Sequence, residues 1–453
     1  MARLSKDNPD KLLAELLRRF RRDKSPIEID FRASIPSITY QAERATHKVH
    51  PYPAKLLANI PFFFLQNSIL SQKGSVVCDP FCGSGTVLVE GLISGRSVIG
   101  IDSNPFARLL SRVKTNVPRA DLVEEKLEHL LKMAISIRPK RQPDVVNIKH
   151  WYYPKVAQQL TQLHDAIAQL RQSPTKEFFL VCLSSCARKV SLCDPRVSVP
   201  VRLNKDRFPE GSDHYIGIKR RLSLLRKINV FDVFRQVCTE NLARVADFKQ
   251  LRKGNKGSVL IAEGSHEKEM GASSARIRPN SVDLVVTSPP YAGAQKYIRA
   301  SSLSLGWLDL IPSNRLRFLE SKSIGREHYL KNEFKEAQVT GVAAADSLLV
   351  KIREKNPLRA HIASNYLLEM RSSLRAIFRI LKRDGYFVLV TGNNKVCGFD
   401  FDTTHYLSLI CREIGFRERL VLVDSIKSRG LMTKRNKTAS LISQEWVTVF
   451  QKV

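Results

Sequence analysis

The chain has 453 residues, 43% of them hydrophobic, with 74 Lys and Arg against 43 Asp and Glu, a formal net charge of +31. That length accommodates two or three domains with real cores, and a positive excess far beyond what solubility needs points to a polyanionic partner. A helical membrane protein is excluded: the densest apolar patch, Pro61-Phe62-Phe63-Phe64-Leu65, is far shorter than the roughly 18 residues that span a bilayer.

At the N-terminus Leu12, Leu13, Leu16 and Leu17 alternate with charges in an amphipathic helical pattern ending in Arg18-Arg19-Phe20-Arg21-Arg22. It is no signal peptide, so a cytoplasmic location is expected. Next comes His47-Lys48-Val49-His50-Pro51-Tyr52-Pro53-Ala54-Lys55, and then Val76-Val77-Cys78-Asp79-Pro80-Phe81-Cys82-Gly83-Ser84-Gly85-Thr86, which reads as strand, glycine turn and helix start. The helix runs on through Leu92, and a second apolar run, Ser97 to Ile101, stops at Asp102. A dinucleotide fold shows the same order, with the acid on ribose hydroxyls. The loop here is neither G-x-G-x-x-G nor a P-loop. Gly83 and Gly85 still permit close backbone approach, and the N–H groups at the helix start suit a carboxylate.

Apolar runs at 76–79, 97–101, 258–262, 283–287, 386–391, 419–424 and 446–451 predict about seven strands with helices between most of them. The expected fold class is therefore α/β, a doubly wound and mostly parallel sheet whose ligands lie at the carboxyl ends of strands. Residues 110–255 interrupt it. So long a structureless loop is foreign to a compact domain, so an inserted subdomain or helical lid is expected, with helical periodicity at Val156–Leu170 and Leu222–Phe248. Cys182, Cys186 and Cys193 lack a fourth ligand at metal spacing and read as buried small hydrophobes, with no metal site.

Asp283-Leu284-Val285-Val286-Thr287-Ser288-Pro289-Pro290-Tyr291 carries the chemistry. The two prolines cannot continue a central ladder, so the chain leaves the sheet rigid and extended. Such a loop suits a nucleobase with an exocyclic amine: Ser288 Oγ and the Pro289 carbonyl can accept its two N–H bonds while the Tyr291 ring lies on its face. No cysteine follows the proline pair, as methylation at cytosine C5 through a thiolate would need.

Together these segments resemble the amino-methylating, S-adenosylmethionine-dependent DNA methyltransferases of the cytosine-N4 or adenine-N6 kind. Ser323-Ile324-Gly325-Arg326-Glu327, Leu381 to Phe387 and Thr391-Gly392-Asn393-Asn394 agree with the family's later motifs. The resemblance implies a Rossmann-like methyltransferase sheet with S-adenosylmethionine as cofactor. It implies catalytic roles for Ser288, Pro289, Pro290 and Tyr291. Cofactor contacts would come from His50, Tyr52 and Pro53, from Asp79, Pro80, Phe81, Gly83, Gly85 and Thr86, from Asp102, Ser103 and Asn104, and from Thr287. Asn393 and Asn394 read equally as part of a base pocket or as a plain turn.

The domain plan that follows is a basic helical extension over 1–45, a catalytic domain over 46–110 and 255–453, and an inserted DNA-recognition subdomain over 111–254. DNA contacts are expected from Arg188, Lys189, Arg196, Arg202, Lys219, Arg220 and Arg221, and from Lys427, Arg429 and Arg435 between the last two strands. For any single lysine a solvated helix face is the plainer reading. The expected function is methylation of cytosine N4 in duplex DNA, in a restriction-modification or related system with a cognate restriction endonuclease as a further candidate partner, and no membrane. Adenine-N6 methylation, an RNA amine methyltransferase and an inactive DNA-binding protein of this fold are the competing readings.

Overall fold

The computed structural model describes residues 8–34, 44–53, 55–139, 141–264, 277–291, 297–425 and 444–453. Its centre is a sheet in which strands β1 (Ile27–Ile29), β2 (Val76–Asp79), β3 (Ser97–Asp102), β4 (Val259–Glu263), β5 (Val282–Thr287), β6 (Leu381–Thr391), β9 (Phe416–Ser425) and β10 (Gln444–Lys452) lie in the order β1-β9-β10-β6-β5-β2-β3-β4. Neighbours are parallel except around β10, which runs antiparallel to both β6 and β9. A separate hairpin joins β7 (Asn394–Val396) to β8 (Phe399–Phe401), so Asn394 opens a strand of that hairpin.

All seven expected strands are present, and the sheet has an eighth. Ile27-Glu28-Ile29 pairs in parallel with Leu422, Val423 and Asp424 at the edge. Three residues are too few for an alternating pattern to stand out, which is why the sequence does not announce β1. The helix Pro9–Asp23 is packed beside it, burying Leu12, Leu13, Leu16 and Phe20. Asn8 starts that helix by accepting from the backbone N–H groups of Asp10 at 3.0 Å and Lys11 at 3.2 Å. Part of the stretch expected to form a separate extension therefore adds to the central sheet.

Chain order reverses direction at β2: β3 and β4 follow on one side, while β5 and β6 lie on the other. In an open α/β sheet this switch point, at the carboxyl ends of the strands, is where a crevice forms. The glycine loop leaves β2 there, and the Ser-Pro-Pro-Tyr loop leaves β5 beside it.

Between β3 and β4 the chain is helical, with long helices at Ala120–Ser136, Pro154–Ala168, Pro174–Val190, Asp213–Lys227 and Val230–Arg252. Apolar faces of all of these but Asp213–Lys227 close one core around Phe178, Phe179, Leu183 and Phe234, in which Cys182, Cys186 and Cys193 are buried. That core also takes in Trp307 from the helix Tyr297–Trp307, set edge-on to Tyr152 with ring centroids 5.4 Å apart. The helical insertion is thus packed against the segment that follows the Ser-Pro-Pro-Tyr loop. No helix among the described residues is long and apolar enough to cross a membrane.

Candidate active site

The glycine loop is shaped by hydrogen bonds it makes to its own neighbourhood. Asp79 Oδ1, at the end of β2, accepts from the Phe81 N–H at 3.1 Å. The Cys82 N–H reaches the Ile101 carbonyl at 3.0 Å, and the Gly83 N–H reaches Asp102 Oδ2 at 2.9 Å. Gly85 has φ of +75° just before the helix Thr86–Ile93, and a Cβ there would meet Ser111 Oγ at 2.8 Å. Both the backbone angle and the close approach therefore require glycine.

Asp102 closes β3 and uses one oxygen on Gly83 and the other on the Asn104 N–H, at 2.8 Å. A carboxylate has about four acceptor positions, so each oxygen keeps capacity for a hydroxyl. Burial raises Asp102 to about 6, and raises its neighbour Asp79 to about 7 against the opposing pull of Thr287 and the Phe81 N–H. Two desolvated carboxylates at one point are costly as they stand, and a cationic, hydroxyl-bearing ligand relieves that cost.

One contact fixes the Ser-Pro-Pro-Tyr loop to the glycine loop. The Thr287 hydroxyl, at the end of β5, donates to Asp79 Oδ1 at 2.6 Å, with both residues buried. The cleft between the loops has about 790 Å³ of space free of protein atoms, part of it open to solvent, and is lined by Tyr52, Asp79, Phe81, Gly83, Thr86, Asp102, Ser103, Asn104, Ser288 and Pro290. Carboxylates, helix-start N–H groups and the apolar surfaces of Tyr52, Phe81 and Ile324 are a chemically suitable set for a sulfonium nucleoside with an amino-acid tail.

Several expected residues act one layer back. His50 is buried away from the cleft, with Nε2 2.9 Å from Ser184 Oγ and its ring against Phe106, so it ties this segment to the helix Pro174–Val190. Burial lowers its pKa to about 4. Pro53, Pro80, Gly85, Thr287, Pro289 and Tyr291 are also absent from the lining, although Pro80 and Gly85 shape the loop that is. Tyr291 is half-buried and its hydroxyl pairs with Ser288; burial, then Glu445, holds its pKa well above the usual value.

Other residues enter from tertiary structure. Lys55 lines the cleft with its ammonium 3.1 Å from the His47 carbonyl, and burial lowers it to about 8. It lies in the same motif as His50 and could have been read from there. Tyr297, Ile298, Ser323 and Ile324 line it as well. Glu445 faces Asp424 across β10 and β9 and is pushed up to about 7 by burial and by that carboxylate; no local pattern marks it. Beneath the site, Glu90 takes His47 Nε2 at 2.7 Å and Arg44 at 2.6 Å, and these partners outweigh its burial and hold its pKa low.

Of the seven described basic residues expected to face DNA, four are committed elsewhere. Arg188 donates to the Val197 carbonyl, Arg196 forks onto Asp194, Lys189 pairs with Glu240 at 3.2 Å, and Arg221 donates to the Lys189 carbonyl at 3.0 Å. Arg202, Lys219 and Arg220 are exposed. Lys427, Arg429 and Arg435 lie outside the described residues.

A reversing, mostly parallel sheet with a glycine loop, a strand-terminal acid and a Ser-Pro-Pro-Tyr loop on one crevice defines an α/β methyltransferase site. Residues 34–111 match the N6/N4 methyltransferase family described as DNA methylase. The type II methyltransferase M.MvaI of Kocuria varians is 23% identical over 415 residues, covering 87% of this chain and 87% of that protein. M.BsoBI of Geobacillus stearothermophilus is 21% identical over 434 residues, covering 84% and 81%. Among solved structures, a SAM-dependent methyltransferase of Methanosarcina mazei is 11% identical over 85% of this chain and 95% of that one, with a TM-score of 0.30; the fold assignment rests on the strand order. Residues 34–111 thus carry the match to the N6/N4 amino DNA methylases, S-adenosylmethionine-dependent enzymes, and the chain as a whole is a distant homologue of the type II methyltransferases.

Proposed function

We propose that this chain methylates the N4 amine of a cytosine flipped out of duplex DNA, as the modification enzyme of a type II restriction-modification pair. The observation that carries the reading is the Thr287–Asp79 bond of 2.6 Å, which holds the base loop and the cofactor loop to one cleft.

S-adenosylmethionine supplies an activated methyl group when bound. Asp102 and Ser103 would hold its ribose, Asp79 and the N–H groups around Gly83 its amino-acid end, and Tyr52, Phe81 and Ile324 its ring. On the base side, an amine in a paired duplex is out of reach, so the nucleotide is extruded at a cost of roughly a few kcal/mol and stacked on Tyr291. Ser288 Oγ then accepts one amine N–H and the Pro289 carbonyl the other. Both bonds draw the nitrogen lone pair out of ring conjugation and aim it at the methyl group. Catalysis rests on positioning and on these fixed dipoles, and the amine proton leaves to water. The Tyr291 hydroxyl, its pKa held high, stays protonated and bonded to Ser288 until the base arrives.

Serine at position 288 favours cytosine: a neutral hydroxyl is a weaker acceptor than a carboxylate, and the smaller ring sets its amine at a different reach from the loop. The test is nucleoside mass spectrometry of duplex DNA incubated with the protein and S-adenosylmethionine. N4-methylcytosine is expected. N6-methyladenine would overturn the base assignment, and methylated RNA beside untouched DNA would overturn the substrate class.

A further inference from the structure

The largest open cleft among those described is not the catalytic one. It lies between residues 145–151 and 200–207, is bordered by Arg299, and has about 1870 Å³ of space, much of it open to solvent. Lys149, His150, Trp151, Arg202, Arg207 and Arg299 converge on it, and among the described residues not one Asp or Glu lines it. Elsewhere on the insertion several basic groups are paired with acids, as Lys189 is with Glu240 and Arg235 with Glu128. Here they are not. Arg202 meets only the His150 imidazole, 3.3 Å away, while the charged ends of Lys149, Arg207 and Arg299 have no hydrogen-bond or ion-pair partner among the described residues. Four like charges around one concavity repel each other and concentrate anions there.

Position gives the cleft its meaning. Ile298 lines the catalytic cleft and Arg299 lines this one. Consecutive Cα atoms are about 3.8 Å apart, so the two concavities flank the same turn at the start of the helix Tyr297–Trp307, a few residues beyond Tyr291. A duplex carries about one negative charge per 1.7 Å of its axis, and phosphates placed here adjoin the site where the base is taken. Trp151, half-buried and set edge-on to His150 with centroids 4.6 Å apart, offers a fixed aromatic wall to a sugar or base.

We infer that this cleft is the DNA-backbone site of the enzyme, with Lys149, Arg202, Arg207 and Arg299 on phosphates of the strand flanking the extruded nucleotide. The inference rests on the methyltransferase reading and moves the main DNA contact from Arg188, Arg196 and Arg221, which serve the fold, to a set of which only Arg202 stands out in sequence.

The experiment compares wild type, a Lys149→Ala/Arg207→Ala/Arg299→Ala triple variant, an Arg207→Lys/Arg299→Lys variant and Lys73→Ala. Lys73 is an exposed cation beside the amino end of β2, at the far end of the sheet from the catalytic loops. Each is titrated with a methylatable duplex over a range of salt, with S-adenosylmethionine affinity measured by calorimetry. The slope of log affinity against log salt should fall by about 0.9 for each phosphate that is no longer neutralised, hence by between about two and three for the triple variant, with cofactor affinity unchanged. The lysine variant should keep the wild-type slope, as should Lys73→Ala. A triple variant with the wild-type slope, or a Lys73→Ala effect per charge equal to it, overturns the inference while wild-type methylation of DNA leaves the proposed function standing. A wild type that methylates no DNA overturns both, and tighter binding of single-stranded RNA than of duplex overturns the backbone site.

Discussion

Charge is handled in opposite ways at the two ends of this molecule. Around the glycine loop, ionisable groups are buried and answered by neutral donors, three backbone N–H groups and one hydroxyl: Asp102 by the Gly83 and Asn104 N–H groups, Asp79 by the Phe81 N–H and by Thr287. Burial still wins, and both carboxylates stand above their ordinary range. In the helical insertion the charged groups are mostly exposed, and those that are paired meet side chains of opposite charge, as Arg112 meets Glu177 and Arg235 meets Glu128. Such exposed pairs contribute little to stability, on the order of 0–1 kcal/mol. The glycine-loop end thus stores an electrostatic cost for a ligand to relieve, whereas the insertion pairs part of its charge at the surface and gathers cations without acidic partners around the cleft beside Arg299.

The largest expected effect falls on the catalytic end. Ser288→Ala removes one acceptor that acts on the amine during transfer, and by analogy with the loss of a single preorganised hydrogen-bonding group the rate should fall by about 10²–10³. Single-turnover transfer to duplex DNA reads this; a variant as fast as wild type would show that the serine only shapes the turn.

Asp102→Ala comes next, because it removes a charged acceptor for the ribose hydroxyls. Calorimetry should show S-adenosylmethionine binding weakened by about 1.5–3 kcal/mol in a folded protein. Unchanged affinity would detach Asp102 from the cofactor.

The smallest effect is read through pH, and it measures the cost stored at the cofactor end. Asp79 is raised in the folded state, from 3.8 to about 7, so the stability linked to its protonated form is complete below 3.8 and is lost as pH rises through 7. Between pH 5.5 and 7.5 the ligand-free protein should lose on the order of 1–2 kcal/mol through this group. Urea unfolding of wild type and Asp79→Asn at both pH values isolates it: the loss should be present in wild type and smaller in the variant. An equal loss in both proteins would mean that Asp79 ionises without cost.

How much of this was legible depended on whether position was set locally. The glycine loop, Asp102 and Ser-Pro-Pro-Tyr each sit at the end of an apolar run, so strand order alone predicted that they would share a crevice. Seven strands followed from the same runs. β1 escaped because three residues carry no period and its burial comes from a helix and a strand end hundreds of residues apart in sequence. His50 lies in a cofactor motif but serves it from behind through Ser184. Arg188 and Arg207 look alike in sequence, and only the fold decides that one meets a carbonyl and the other an open cleft. Glu445 is opposite Asp424 through pairing of two late strands, which no spacing reveals.

In the proposed function, strand ends divide the labour of one cleft, β2 and β3 holding the cofactor and β5 the base. Measuring S-adenosylmethionine affinity in Ser288→Ala and Asp102→Ala side by side tests this division most directly. Wild-type affinity is expected in the first and a clear loss in the second; a loss of affinity in Ser288→Ala as large as in Asp102→Ala would contradict it.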